Sequence, residues 1–351
     1  MTSLFEALRI GAITTPNRVV MAPMTRNRAS ATGVPTDLMS EYYAQRASFG
    51  LIISEGVQPA AIGQGYPHTP GLHNDEQTAG WKRVADAVHG AGGHIFLQLM
   101  HAGRISHVDV IGTQPVAPSA VTPAGQLFTG SGNKPFDQPR EMTADDLIAA
   151  RHAYVDAAQR AVLAGCDGVE LHAANGYLLN QFLADNSNQR TDQYGGSPEN
   201  RARFVIETVR AVVDAVGGDK VGIRISPNGN FNDMAETQVE ETHGALLAGI
   251  DSLGLAFLHV GEQPGFAGIK FSRARWSGVL IGNTGYADND KIASAHALVE
   301  SGGADAVSFG RLALANPDLP MRIKEGTVMN EPDSQTFYSG GAKGYTDYPT
   351  L

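Results

Sequence analysis

The 351-residue chain reads as an α/β protein built around a closed barrel of eight parallel strands. Three observations point there: eight short apolar runs, helical periodicity between most of them, and polar residues at the trailing end of run after run. The runs are Asn17–Thr25, Leu51–Val57, His94–His101, Gly168–Asn175, Val221–Pro227, Phe257–Glu262, Val279–Gly285 and Ala306–Arg311. Near-continuous apolar stretches such as Leu51-Ile52-Ile53 suit strands covered by helices, as parallel sheets require. Alternation of strand and helix through eight units favours a (β/α)8 TIM barrel over an open sheet.

The helices carry signals of their own. Thr143-Ala144-Asp145-Asp146 reads as an N-cap with an acid three residues on, and the helix it opens runs toward Gly165 as a stop. Ser197-Pro198 puts a cap before a proline at the first helical position. Phe204, Val205, Thr208, Val209, Val212, Val213 and Val216 then recur at helical spacing, as do Trp81, Val84, Ala85 and Val88 earlier. A barrel needs about 250 residues, so this one carries extra segments. Residues 1–16 are expected to form a hairpin cap plugging the barrel floor. Residues 104–142, rich in Gly, Pro, Ser and Thr, are expected to be an excursion after strand three, and residues 325–351 a tail. The whole chain, 1–351, is expected to be a single domain.

Composition narrows the function. Hydrophobic residues make up 42% and charged residues 18%, enough for a large core. A net charge of −10 argues against nucleic acid as a partner, because neutralising phosphates needs a basic face. The one cysteine, Cys166, rules out an internal disulfide and a cysteine-held iron–sulfur cluster, and it reads as an inert buried thiol. The N-terminus shows no signal-peptide pattern, and no window approaches the roughly 20 apolar residues of a membrane span. A cytoplasmic protein, monomer or homo-oligomer, with no membrane partner and no metal is expected.

Barrel enzymes place their chemistry at the C-terminal ends of the strands. Here those ends hold Thr25, Gly56, Gln98 with His101, His172 with Asn175, Arg224, Gly282-Asn283 and Gly310-Arg311. Alternation sorts them by face. Leu97 and Leu99 oppose Gln98 and Met100; Val169 and Leu171 oppose Glu170 and His172; Ile223 and Ile225 oppose Arg224 and Ser226. The apolar faces should meet the helices and the polar faces look inward, with Met100 among them. A buried arginine needs a partner, and Glu170 is the expected one for Arg224. A buried Arg–Glu pair with a satisfied histidine and no ligand is the bland alternative for any one of these residues. Glycines after strands seven and eight, with Arg311 beside them, suit a phosphate.

In order along the chain stand Asn17-Arg18-Val19-Val20-Met21-Ala22-Pro23-Met24-Thr25-Arg26, Gly63-Gln64-Gly65-Tyr66-Pro67 and Gln98-Leu99-Met100-His101-Ala102-Gly103-Arg104. His172-Ala173-Ala174-Asn175-Gly176-Tyr177-Leu178-Leu179-Asn180-Gln181-Phe182-Leu183 follows, then Arg190-Thr191-Asp192, Tyr194-Gly195-Gly196-Ser197, Phe337-Tyr338 and Gly344-Tyr345-Thr346-Asp347-Tyr348-Pro349. With this ordered set the chain resembles the old yellow enzyme family of FMN-dependent ene-reductases over nearly its full length. The resemblance implies FMN across the barrel top, reduced by NAD(P)H, and activated alkenes as small-molecule substrates. It implies that Pro23, Met24 and Gly56 approach the isoalloxazine, that Thr25 bonds near its C4 carbonyl, and that Gln98 serves its C2 carbonyl and N3–H. Arg224 would sit near N1. Gly282, Asn283, Gly310 and Arg311 would hold the phosphate, with Phe337 also at the cofactor.

On the substrate side, the resemblance makes His172 and Asn175 donors to a carbonyl oxygen that gains charge as hydride adds at Cβ. It makes Tyr177 the proton donor to Cα, and Met100 and Tyr338 part of the pocket wall. Many relatives carry tryptophan where this chain has Met100, and some carry a second histidine where it has Asn175. Larger flavin barrels with an iron–sulfur cluster need several cysteines, which this chain lacks. A Schiff-base aldolase would want a lysine in a strand, and none of the eight runs contains one. A non-catalytic flavin-binding or scaffold protein is the remaining alternative.

Overall fold

The computed structural model describes residues 3–284 and 291–351. Among them, eight parallel strands close a barrel in chain order: β1 (Val19–Met21), β2 (Leu51–Val57), β3 (Ile95–Leu99), β4 (Gly168–Ala173), β5 (Val221–Ile225), β6 (Phe257–Gly261), β7 (Leu280–Asn283) and β8 (Ala306–Phe309). β8 pairs with β1, so the ring leaves no free sheet edge. Each expected strand is present. Most are shorter than their apolar runs, because the last residues of a run leave the ladder for the loops over the barrel mouth. Gly285, the expected end of the seventh, lies outside the described residues.

One principal helix follows each strand: α1 (Asp37–Ala44), α2 (Asp75–Gly90), α3 (Ala144–Leu163), α4 (Pro198–Val216), α5 (Val239–Ile250), α6 (Gly268–Arg273), α7 (Lys291–Glu300) and α8 (Leu319–Glu325). The capping signals act as read. The Thr143 hydroxyl accepts from the Asp146 N–H, and the Asp146 carboxylate accepts from the Thr143 N–H at 2.7 Å, a closed capping box. The carboxyl of Asp146 is held well below its usual range, chiefly by the Arg140 guanidinium. Gly165, at φ +86°, takes the left-handed turn that ends α3. The Ser197 hydroxyl caps α4 and Pro198 occupies its first turn. The apolar stripe of α4 buries Phe204, Val205, Val209 and Val212 against the outer faces of the strands, and Trp81, Val84, Ala85 and Val88 of α2 are buried likewise. Cys166 is buried in the same layer, and burial pushes its thiol far up in pKa, which leaves it unreactive.

The barrel interior is layered. Its lower layer is apolar: Val20, Leu51, Ile53, Phe96, Phe257, Ile281 and Ala306 form a cluster of their own, apart from the strand–helix core. The N-terminal hairpin, Leu8–Ile10 paired with Ile13–Thr15, closes it from below with Ile10. Gly11 makes this plug possible. It sits at φ +55°, and a Cβ there would lie 1.9 Å from the carbonyl oxygen of Asp219. The excursion after β3 contains a short helix (Val108–Ile111), a two-residue pairing of Val116–Ala117 with Arg140–Glu141, and a small hairpin of Gln126–Phe128 with Asn133–Pro135. No described helix is long and apolar enough to cross a membrane.

One residue expected at the rim is not there. His101 follows Met100, so strand parity turns it outward. Its ring packs under the turn Ala61–Gly63, where a Cβ on Gly63 would be 3.0 Å away, and its Nδ1 accepts from the Gly103 N–H at 3.1 Å. Its carbonyl accepts from Leu178 N–H at 2.9 Å. His101 is therefore a structural histidine joining β3 to the loop after β4.

Two outcomes follow from this architecture. Truncating the plugged floor by Phe257→Ala should cost about 3–5 kcal/mol in urea unfolding; a loss under 1 kcal/mol would mean the floor is loosely packed. Burial lowers the His101 pKa to about 4. Between pH 6.5 and 4 the unfolded chain therefore takes up a proton there that the folded chain refuses, and stability is lost as pH falls through that window. His101→Gln should remove up to about 1.4 kcal/mol per pH unit from that slope. A parent-minus-variant stability difference that is constant from pH 7 to 4.5 would show that the folded histidine ionises normally.

Candidate functional site

At the C-terminal end of the barrel the strand ends and their loops enclose a cavity of about 730 Å3. This falls in the usual range for a small-molecule or cofactor site. Pro23, Met24, Thr25, Gln98, Met100, His172, Asn175, Tyr177, Arg224, Asn283, Gly310, Arg311, Phe337 and Tyr338 all line it. Residues from six strands or their following loops and from the C-terminal tail are thus brought together across more than 300 positions of sequence.

The two remaining glycines sit differently. A Cβ on Gly56 would meet the Met100 sulfur at 2.6 Å, so the space that Gly56 leaves is filled by Met100. Gly282 is paired with Val260, an outward position, and a Cβ there would strike Leu298 at 2.6 Å and Ile269 at 3.3 Å. Its missing side chain admits close helix packing on the outside of the barrel; only its backbone is near the cavity end. Met100 is buried and grouped with Ala102, Ile105 and Tyr177, with Tyr66 and Phe136 against them, so it belongs to the cavity wall rather than the strand–helix core.

Beneath the cavity lies a polar layer. Gln98 Nε2 donates to Glu170 Oε1 at 2.8 Å, and His259 Nδ1 stands 2.7 Å from Glu170 Oε2. His259 Nε2 is 2.8 Å from the Ser308 hydroxyl, which Asn283 Nδ2 also reaches at 2.9 Å. This corrects the expected pairing of Glu170 with Arg224. Glu170 lies level with Gln98 and Gly222, and Arg224 lies one inward step higher with His172 and His259; from that higher level it is the His259 ring that reaches the carboxylate. Both Glu170 oxygens are taken by Gln98 and His259. Arg224 is nearly fully buried, and its Nε has no hydrogen-bond partner among the described residues.

One wall is built by the turn after β4. Asn175 and Gly176 both adopt left-handed conformations, φ +56° and +79°. Four side-chain bonds hold the turn: Asn175 N–H donates to Ser226 Oγ at 2.9 Å, Gly176 N–H donates to Asn180 Oδ1 at 2.8 Å, Asn232 Nδ2 donates to the Asn175 carbonyl at 2.8 Å, and Gln181 Nε2 donates to the Gly176 carbonyl at 2.7 Å. This sets the Tyr177 ring 5.0 Å from the His172 ring. The Tyr177 hydroxyl is 2.9 Å from that of Tyr66, a residue the strand-end reasoning missed because it comes from a loop. Burial, followed by the nearby Arg224 and His259, depresses the His172 pKa well below its ordinary value. His172 is therefore a neutral imidazole, and its Nδ1 has no partner among the described residues.

The opposite wall comes from the tail. Arg26 is buried with its guanidinium on the carbonyls of Phe337 (2.9 Å) and Gly344 (2.8 Å), and Arg28 reaches those of Thr336 (2.8 Å) and Ser339 (2.7 Å). Tyr345 stacks on Tyr42 with centroids 4.0 Å apart, and Arg26 lies over both rings. Phe337 and Tyr338 are thereby fixed at the cavity, with Tyr338 at its mouth and 64% exposed. Among the described lining residues there are two arginines, Arg224 and Arg311, and no carboxylate, in a chain of net charge −10. The cavity is thus suited to an anionic occupant.

Comparison with known proteins places this geometry. Residues 3–330 match the model of the NADH:flavin oxidoreductase / NADH oxidase family. A probable flavin mononucleotide-dependent alkene reductase of Leishmania infantum is 42% identical across 99% of this chain and 97% of its own length. The 12-oxophytodienoate reductase 7 of Oryza sativa subsp. japonica is 38% identical across 99% and 94%. Among solved structures, the old yellow enzyme homologue of Zymomonas mobilis superimposes with a TM-score of 0.96 at 40% identity, covering 100% of both chains. Morphinone reductase in complex with tetrahydroNAD gives 0.94 at 46% identity over 100% of this chain and 98% of that one. This chain belongs to the NADH:flavin oxidoreductase / NADH oxidase family, as an FMN-dependent oxidoreductase of the old yellow enzyme kind that draws its reducing equivalents from a nicotinamide nucleotide.

Proposed function

We propose that the chain is an ene-reductase acting on α,β-unsaturated carbonyls, nitroalkenes and similarly activated alkenes, with FMN in the cavity above the Glu170 layer. The observation that carries this reading is one cavity holding two unlike walls. A cationic, amide-lined floor suits a flavin, and an imidazole–amide–phenol cluster suits a polarised alkene. The chemistry of the donors fits the cofactor. Arg224, buried with an unpartnered Nε, suits the N1 side of the ring, where charge collects on reduction. Gln98 has its carbonyl oxygen and one N–H left over from Glu170, which suits the N3–H and C2 carbonyl of the ring. Pro23, Met24, Thr25 and Phe337 border the same space, with Gly56 behind Met100. Arg311 and the backbones of Gly310, Asn283 and Gly282 stand at the end suited to the phosphate.

Bound there, FMN would supply from its N5 the hydride that the alkene takes up at Cβ. The rest is done by side chains. His172, neutral, and Asn175 each donate one hydrogen bond to the substrate oxygen, where negative charge grows as the bond forms, so they favour the transition state over the ground state. Tyr177 gives its phenolic proton to Cα, and the adjacent Tyr66 hydroxyl is close enough to donate to the phenolate that remains. Met100 and Tyr338 shape the mouth and wall that the alkene passes. The nicotinamide donor would enter through the same mouth before the alkene arrives.

Two measurements test the reading. Tyr177→Phe should leave flavin bleaching by NAD(P)H within about twofold and slow alkene-driven reoxidation by about 100-fold or more. Slowing of the reductive step alone would exclude the proton-donor role. FMN should bind far more tightly than riboflavin, and Arg311→Ala should narrow that gap by about tenfold; equal affinities in the parent protein would exclude Arg311 from the phosphate site. A folded, colourless protein that takes up no FMN would sink the proposal as a whole.

A further inference from the structure

We infer that Glu170 is a positioning residue for the cofactor site: it fixes which way the amides of Gln98 and Asn283 face, and its negative charge under the cavity holds down the reduction potential of the bound flavin. The inference rests on FMN occupying the cavity above. It starts from donor and acceptor bookkeeping. Gln98 and Asn283 reach the buried layer with their amide nitrogens, which can only donate. Asn283 gives its N–H groups to the Ser308 hydroxyl (2.9 Å) and the Ser308 carbonyl (3.1 Å). The Ser308 hydroxyl, having accepted, passes its own hydrogen to His259 Nε2 at 2.8 Å. His259 then carries its proton on Nδ1 and donates it in a hydrogen bond to Glu170 at 2.7 Å, while Gln98 Nε2 donates to the other carboxylate oxygen at 2.8 Å. Burial, and next Arg224, keeps the His259 pKa low, in keeping with a neutral ring that has one proton to give.

Apart from the Asn283 bond to the Ser308 carbonyl, every bond in the chain runs toward one acceptor-only group, and that group is entirely buried. A carboxylate at this point satisfies all the donors; an amide cannot, because it must donate as well. Asn283 and Gln98 are left with their carbonyl oxygens outside the network, and both residues line the cavity. Because neither Glu170 oxygen is spent on Arg224, the arginine stays available to an anion above, while the Glu170 charge partly opposes it from below. The alternative is a purely structural buried cluster, which would affect folding and leave cofactor properties alone.

Glu170→Gln and Ser308→Ala, each prepared as the FMN-loaded full chain, separate these possibilities. The measurements are the FMN Kd, the flavin midpoint potential and Tm. Glu170→Gln should raise the potential, favouring the reduced form about tenfold, or roughly 30 mV for the two-electron couple, and weaken FMN binding. Ser308→Ala frees the Asn283 amide but keeps the Glu170 charge, so it should weaken FMN binding several-fold with the potential unmoved. A lowered Tm with parental Kd and potential in Glu170→Gln would overturn the inference. If Glu170→Gln does not fold, a parental Kd in Ser308→Ala would overturn it instead. A parent protein that binds no FMN would remove the reading on which the inference stands, a result distinct from an unresponsive variant.

Discussion

A parallel sheet closed on itself turns every second side chain into a space that water does not enter, and most of this molecule answers to that constraint. Low in the barrel it is met with apolar volume: Phe96 and Phe257 pack together across the interior, and Ile10 seals the floor. Higher up the inward positions carry Gln98, Glu170, Arg224 and His259, and each polar atom there must be paired or await a ligand. Glu170 lies where the apolar filling stops and the polar chemistry begins. A carboxylate at that depth is tolerable only because donors from neighbouring strands converge on it.

The site above is open at the top, so its geometry depends on how the loops are held. The Asn175–Gly176 turn is locked by Asn180 and Gln181 of the short helix that follows it and by Ser226 and Asn232 from beyond β5. The tail has no regular secondary structure to hold Phe337 and Tyr338 in place, apart from a single turn at Ser334–Thr336. Its carbonyls are instead gripped by Arg26 and Arg28, which come from the loop just past β1 and Thr25. The carboxyl of Glu55, raised to about 7 by burial, accepts from the Arg26 backbone N–H at 3.2 Å and anchors that loop from below. One short stretch after β1 therefore supplies Pro23, Met24 and Thr25 to the cavity and also ties down its far wall.

Much of this was legible before any fold was seen. The strands announced themselves by apolar runs, α3 and α4 by their caps, and the inward faces of β3, β4 and β5 by alternation. The same alternation, carried one residue further, would have turned His101 out of the site. Applied to β6, where Phe257 and His259 alternate with Leu258 and Val260, it would have exposed His259 as the partner of Glu170. Tyr66 had no such signal. It belongs to a loop, and its contact with Tyr177 spans 111 positions.

What the sequence alone determined is whatever depends on neighbours a few residues apart: strand and helix periods, caps, the polar strand ends, and the motif set that marks the family. What only the tertiary structure decided is which of those residues meet. Glu170 and Arg224 have the right charges to pair, yet the closed barrel brings Gln98 and His259 onto the carboxylate instead and leaves the arginine to the cavity. Gly282 and Gly310 both read as phosphate glycines, yet parity turns the α-carbon of one toward the helices and leaves the other in the cavity wall. Periodicity is a property of one strand. Register and shear belong to the closed ring, and they fix contacts between residues whose separation along the chain carries no local trace.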